Sequence, residues 1–110
     1  MPIDLKNLKK PYFIGIGGIG MSALAKLFVN AGKEVVGSDT GFADLEGLKK
    51  AGIQIFEGYD GTRIDKSFDA VIYTLATAEN NPELLCAKAL GLPIFTYAEM
   101  LGLVSKEKKT

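Results

Sequence analysis

The sequence predicts an α/β fold: a doubly wound, five-stranded parallel sheet of order 3-2-1-4-5 in a single domain. Three observations lead there. Short, wholly apolar runs alternate with helical patterns, as parallel strands covered on both faces require. The alternation reads β-α-β-α-β-β-α-β-α, and right-handed crossovers then wind the sheet on both sides. Between the first strand and the first helix lies a glycine-rich turn, with Gly15, Gly17, Gly18 and Gly20 crowded into six positions.

Taken in order, residues 1–11 read as a short polar leader with one helical turn at Asp4 to Lys9. Tyr12 to Ile16 is the first strand. The first helix starts near Ile19, carries Leu24, Leu27, Phe28 and Ala31 at helical spacing, and ends at Gly32 as a left-handed cap. Val35 to Gly37 forms the second strand, ending at Ser38 and Asp39, followed by a turn at Thr40-Gly41. A second helix covers Ala43 to Ala51 with Leu45 and Leu48 inward, and Ile53 to Phe56 is the third strand. Ile64 to Phe68 is an irregular or single-turn connection to the fourth strand, Ala70 to Thr74. Asn81 caps the next helix with Pro82 at its first position, where a missing N–H costs nothing. That helix, Leu84 to Leu90, stops at Gly91, and Pro93 to Thr96 is the fifth strand. Thr96-Tyr97-Ala98-Glu99 matches a capping box and opens a short helix through Leu103. The expected division is a domain over 1–103 and a linker over 104–110.

Composition narrows the function. Thirteen acidic and thirteen basic residues balance, and no basic stripe stands out, which argues against a nucleic-acid binder. There is no histidine, so His-based acid–base catalysis and His metal sites are out, and the single cysteine, Cys86, reads as a small apolar helix residue. The polar N-terminus lacks the apolar segment of a signal peptide, and no apolar run approaches membrane-spanning length. A cytoplasmic protein that binds no membrane is expected. No cation-site spacing links Asp60, Asp65 and Asp69, so no metal site is expected, nor is any catalytic residue.

In an open parallel sheet, ligands bind beyond the carboxyl ends of the strands, where the strand order reverses. That places Gly15 to Ser22, Ser38 to Thr40, Gly58 to Asp60 and Leu75 to Thr77 round one crevice. Gly15 permits a tight turn, Gly17 permits close approach of a phosphate, and Gly20 lets the helix pack against the strand. The first helical N–H groups lack intrahelical acceptors and carry partial positive charge, so a diphosphate is the default ligand. Asp39, nineteen residues after Gly20, can accept hydrogen bonds from a ribose or base, or sit as a solvated turn aspartate. Tyr59 can stack on a base or point to solvent, and the Thr74 to Thr77 segment offers hydroxyls and N–H groups without charge. There is no G-x-x-x-x-G-K-[ST], so no ATP-holding loop lies in this chain. A dinucleotide-binding regulatory or dehydrogenase domain using NAD fits the same spacing. Glycines serving packing alone are a third reading.

The words F-I-G-I-G-G-I-G-M-S-A-L-A, then G-S-D, N-P-E at Asn81 to Glu83 and A-E-M-L at Ala98 to Leu101, resemble the Mur ligases along nearly the whole chain. The resemblance implies a Rossmann-like first domain that holds the UDP part of UDP-N-acetylmuramic acid. It implies ATP and magnesium in a central domain absent from this chain, reached through the 104–110 linker, and L-alanine as the incoming amine. The reaction implied begins with phosphoryl transfer from ATP to the muramoyl carboxylate and ends with attack by the amine. The implied diphosphate cradle is Gly15, Gly17, Gly18, Ile19, Gly20, Met21 and Ser22. Ser38, Asp39, Tyr59, Ala76 and Thr77 are implied on the uridine side, with no cofactor bound to the fragment itself, which alone is expected to be inactive. Tyr12 and Tyr59 stand where the family often has histidine, and Tyr97 where it often has arginine.

Overall fold

The computed structural model describes residues 5–40 and 45–108. Five parallel strands, β1 (Pro11–Ile14), β2 (Val36–Asp39), β3 (Gln54–Glu57), β4 (Ala70–Tyr73) and β5 (Ile94–Thr96), form one sheet in the order β3-β2-β1-β4-β5. The fold class and strand order are those expected. Register follows from the central pairings Tyr12 with Val36 and Val71, and Ile14 with Ser38. The central strand β1 is wholly buried, whereas the edge strand β3 is half-buried in its middle and exposed at both ends.

Four helices cover the sheet: α1 (Ile19–Asn30), α2 (Glu46–Lys50), α3 (Pro82–Leu90) and α4 (Tyr97–Lys108). Side chains alternate across a strand, so β1 feeds two separate cores. Phe13 points to the core formed with Met21, Leu24 and Phe28 of α1, Leu45 and Leu48 around α2, and Met100 and Val104 of α4. The Phe13 and Phe28 rings meet edge to face, 6.0 Å apart. Tyr12 and Ile14 point the other way, toward Ile64, Phe68 and the α3 residues Leu84 and Ala87.

Helix ends follow their local chemistry. Gly32 (φ +87°) closes α1: its N–H donates to Val29 O and that of Lys33 to Phe28 O, the paired bonds of a Schellman motif. Asn81 Oδ1 accepts from the N–H groups of Glu83 and Leu84, with Pro82 at the first position of α3. Thr96 and Glu99 form the reciprocal capping box, Glu99 N–H to Thr96 Oγ1 at 3.1 Å and Thr96 N–H to Glu99 Oε1 at 2.8 Å.

Several details differ from expectation, beginning with the first strand, which ends at Ile14 and leaves Ile16 in the glycine turn. The polar-looking leader is part of the core: Leu5 and Leu8 are buried, and Lys33 Nζ donates to both their carbonyls. Two leucines three apart on a turn can bury together although their neighbours are charged. The single turn in the β3–β4 connection is a 3-10 turn at Gly61–Arg63, upstream of the Ile64 to Phe68 stretch. Asp60 caps it by accepting from Thr62 N–H and Oγ1. Finally, α4 runs to Lys108 rather than Leu103, because Val104 continues the buried stripe begun by Met100. The second helix begins at Glu46. Residues 41–44, which include the expected Gly41 turn and the Ala43 helix start, lie outside the described residues, as does Asp4.

Candidate functional site

The glycine turn is built by β2. Gly15 (φ +79°) takes a conformation costly for any side chain, and the N–H groups of Gly15 and Ile16 both donate to Ser38 O at 2.9 Å. Gly18 N–H closes the loop on Gly15 O at 3.3 Å. The first helical bond is Ser22 N–H to Gly18 O at 2.7 Å. The N–H groups of Ile19, Gly20 and Met21 therefore start α1 with no acceptor among the described residues. Gly18 is the N-cap, contributes no side-chain bond, and leaves no acid in the first turn to offset the dipole. Ile19 stands 93 % exposed at the tip.

Asp39 does something the spacing alone did not suggest. Its Oδ2 accepts from Gly17 N–H at 2.7 Å and its Oδ1 from Thr40 N–H at 2.8 Å. The carboxylate thus braces the loop through one of the donors expected to face a phosphate. Ser22 Oγ donates back to Ile19 O at 3.0 Å. Gly20 makes its close approach to Tyr97 at the start of α4 and not to a strand: a β-carbon there would lie 2.7 Å from the ring. The close approach to the sheet belongs to Gly37, where a β-carbon would meet Ile16 at 2.6 Å and Phe13 O at 2.9 Å.

Beyond β3, Gly58 N–H donates to Asp39 O at 2.6 Å, and the chain swings Tyr59 over the turn, its hydroxyl 3.8 Å from where a Gly15 β-carbon would stand. Partial burial, then the Asp39 and Glu83 carboxylates, hold the Tyr59 phenol above its ordinary range. The 74–77 turn closes on itself, with Thr77 N–H donating to Thr74 O at 2.9 Å and Ala76 N–H to Thr74 Oγ1 at 3.3 Å. Ala76 is exposed there, and Thr77 lines a shallow cavity of about 570 Å³ with Tyr73, Leu75 and Lys88.

Beneath these segments lies a polar centre that sequence reasoning missed. Glu83, fully buried, accepts from Tyr12 Oη at 2.6 Å, Ser38 Oγ at 2.5 Å, Asp60 N–H at 3.3 Å and Arg63 Nη1 at 3.3 Å. The ion pair with Arg63 compensates the buried charge. Burial foremost, and then the Glu83 carboxylate, push the Tyr12 phenol well above its ordinary range. The available signal was a hydroxyl on each of two central strands, Tyr12 and Ser38, facing one side of an otherwise apolar sheet.

A cavity of about 620 Å³ lies elsewhere, between Leu5, Lys6, Asn30, Ala31, Lys33 and Val104. It sits at the far end of α1, roughly 18 Å from the glycine turn at 1.5 Å per residue. Its position at the amino-terminal side of the sheet removes it from the strand ends where this architecture binds ligands.

A doubly wound sheet whose order reverses at a glycine turn, with helical N–H groups that have no acceptor among the described residues, defines a Rossmann-like domain. Comparison with known proteins refines this. A family profile described as "Mur ligase family, catalytic domain" matches residues 10–109, and the chain belongs to the Mur ligase family. It is 42 % identical over 110 residues to the UDP-N-acetylmuramate–L-alanine ligase of Clostridium kluyveri, covering 99 % of this chain and 24 % of that protein. The enzyme of the same name from Acetivibrio thermocellus is 42 % identical over 106 residues, 96 % of this chain and 22 % of the relative. The crystal structure of the UDP-N-acetylmuramate-alanine ligase from Thermotoga maritima superposes with a TM-score of 0.84 at 35 % identity, over 91 % of this chain and 23 % of that one. A UDP-N-acetylmuramate:L-alanyl-gamma-D-glutamyl-meso-diaminopimelate ligase from Neisseria meningitides gives 0.77 at 29 % identity, over 86 % and 30 %. The chain thus spans about a quarter of the length of the curated relatives it matches.

Proposed function

We propose that this chain is the substrate-binding domain of a cytoplasmic ligase of peptidoglycan synthesis that joins L-alanine to UDP-N-acetylmuramic acid, and that it holds the UDP part of that substrate. The observation that carries the reading is the set of unpartnered N–H groups of Ile19, Gly20 and Met21 behind the Gly15 turn, in a chain 42 % identical to such ligases. The diphosphate lies on those three donors, with Gly18 and Ser22 alongside. Asp39 keeps its hold on Gly17 and offers its remaining lone pairs to the ribose. Tyr59 walls the nucleoside, with Ser38 behind it and Ala76 and Thr77 across the crevice.

ATP and magnesium do not fit this chain's own residues. The sequence has no lysine-bearing phosphate loop, and among the described residues no three His, Cys, Asp or Glu side chains come together as a metal site. Phosphoryl transfer therefore falls, in this proposal, to the part of the enzyme beyond the quarter spanned here. Among the described residues no helix is long and apolar enough to cross a membrane.

Thermal unfolding with ligand tests the reading. UDP-N-acetylmuramic acid at a hundredfold excess over its Kd adds about 2.7 kcal/mol if it binds the folded state alone. Stabilisation by NADH in place of the UDP-sugar, or no shift at millimolar UDP-sugar, overturns it.

A further inference from the structure

We propose that Glu83 is the positioning residue of the crevice, tying β1, β2 and the 57–63 segment to one buried carboxylate and thereby holding Tyr59 over the glycine turn. The proposal rests on the reading of the crevice as a nucleotide site, and adds a residue that touches no ligand.

The geometry carries it. Four donors from three parts of the chain converge on Glu83: Tyr12 from β1, Ser38 from β2, and Asp60 N–H with Arg63 from the loop beyond β3. Three of the donors adjoin crevice residues. Ser38 presents its carbonyl to Gly15 and Ile16, and the next residue, Asp39, holds Gly17. Arg63 Nη1 also donates to Gly58 O at 2.8 Å, and its Nη2 to Glu57 O at 3.2 Å. The Arg63 guanidinium further stacks 4.6 Å from the Phe56 ring centroid. Tyr59 is therefore flanked by two fixed points, Gly58 O gripped by Arg63 and Asp60 N–H gripped by Glu83. Both trace to the same carboxylate.

Buried hydrogen-bonded charge is a poor source of stability by itself but a strong source of geometric definition when every partner is supplied. Among the described residues no buried side-chain polar atom lacks a partner. Glu83 also sits at the second position of α3, fixed by the Asn81 cap, so the carboxylate is delivered from a rigid helix start. A buried carboxylate needs its lone pairs filled as well as its Arg63 pair, and here the donors that fill them come from β1, β2 and the loop beyond β3. The bonds to Ser38 and to Asp60 N–H join Glu83 to the neighbours of Asp39 and Tyr59.

The test has a ligand-free arm and a binding arm. In the free chain, nuclear Overhauser contacts between the Tyr59 ring and the Gly15 α-protons are expected in the wild type, lost in Glu83→Gln and retained in the surface control Glu79→Gln. Glutamine keeps the shape but turns one acceptor into a donor that faces donors. Persistence of the contact in a folded Glu83→Gln overturns the proposal. Should Glu83→Gln fail to fold, Glu83→Asp keeps the charge, withdraws the carboxylate from its four donors and decides the same question by the same contact. In the binding arm, Glu83→Gln weakens UDP binding roughly tenfold, the scale of one lost aromatic–base stack. In a Tyr59→Ala background it produces no further loss. Additive losses overturn the proposal. Absence of UDP binding by the wild type would sink the nucleotide reading, while the Tyr59–Gly15 contact still decides the role of Glu83.

Discussion

Gly37→Ala is the substitution that bears hardest on how the site is built. Gly37 lies in the middle of β2, paired with Phe13 on one side and Ile55 on the other. A β-carbon added there would stand 2.6 Å from Ile16 Cδ1, 2.8 Å from Ile16 Cβ and 2.9 Å from Phe13 O. Ordinary contact begins near 3.4 Å, so these atoms must retreat by about 0.5–0.8 Å. Two of the three cannot do so by rotating a side chain. Phe13 O is backbone in the central strand, and Ile16 Cβ is fixed to the glycine turn, with its N–H bonded to Ser38 O. Overpacking of this kind costs about 2–3 kcal/mol. For a domain of this size that lowers Tm by roughly 10–20 °C. Because Ile16 precedes Gly17, the strain falls on the turn, and UDP binding weakens along with stability. Urea unfolding at constant slope measures the first effect and calorimetric titration the second. Gly47→Ala is the control: it lies in α2 and meets only Lys26 Nζ at 3.9 Å, so it stabilises by roughly 0.5–1 kcal/mol. A Gly37→Ala protein within about 0.5 kcal/mol of the wild type would refute the reasoning that β2 packs against the turn through the missing side chain.

Two further outcomes follow from other parts of the fold. Because the Tyr12 phenol is raised in the folded chain, that chain keeps a proton which the unfolded chain releases near pH 10, so stability is full below that pH and falls as pH rises above it. Tyr12→Phe removes this alkaline loss, of up to about 1.4 kcal/mol per pH unit, while costing about 1.5–3 kcal/mol at neutral pH through its bond to Glu83; identical pH dependences for the two proteins contradict it. Thr96→Ala opens the capping box of α4 and lowers stability by about 1 kcal/mol, whereas Glu99→Gln, which can still reach back to Thr96 N–H, changes it little; equal effects in a thermal melt argue against reciprocal capping.

Much of the architecture was readable because it rests on local rules. Asn81-Pro82 and Gly91 bound α3, Gly32 ends α1, and Thr96 with Glu99 opens α4, each by bonds made within a few residues. Strand order followed from right-handed crossovers. What could not be read locally involves partners far apart in the chain. Leu5 and Leu8 look like leader until Phe28 of α1 and Lys33 just beyond it receive them. Val104 looks like the start of a tail until Met100 sets the phase of the buried stripe. Gly20 faces Tyr97 instead of a strand, and the tight contact at Gly37 appears only when Ile16 is folded against it. The Glu83 cluster joins residues separated by up to 71 positions, and nothing near Glu83 in sequence announces an acid that must be buried.

By itself the sequence determined the sheet, its order and the place of the glycine turn, since each depends on periodicity, handedness and the conformational freedom of Gly15. Only the tertiary structure decided which backbone donors of that turn are already taken. Asp39 and Gly17 lie on different elements, and their bond exists because β2 runs beside β1 in a particular register, with Ile14 opposite Ser38. Hydrogen bonds between side chains and distant backbone are set by that register, which the sum of long-range packing fixes and no local window contains.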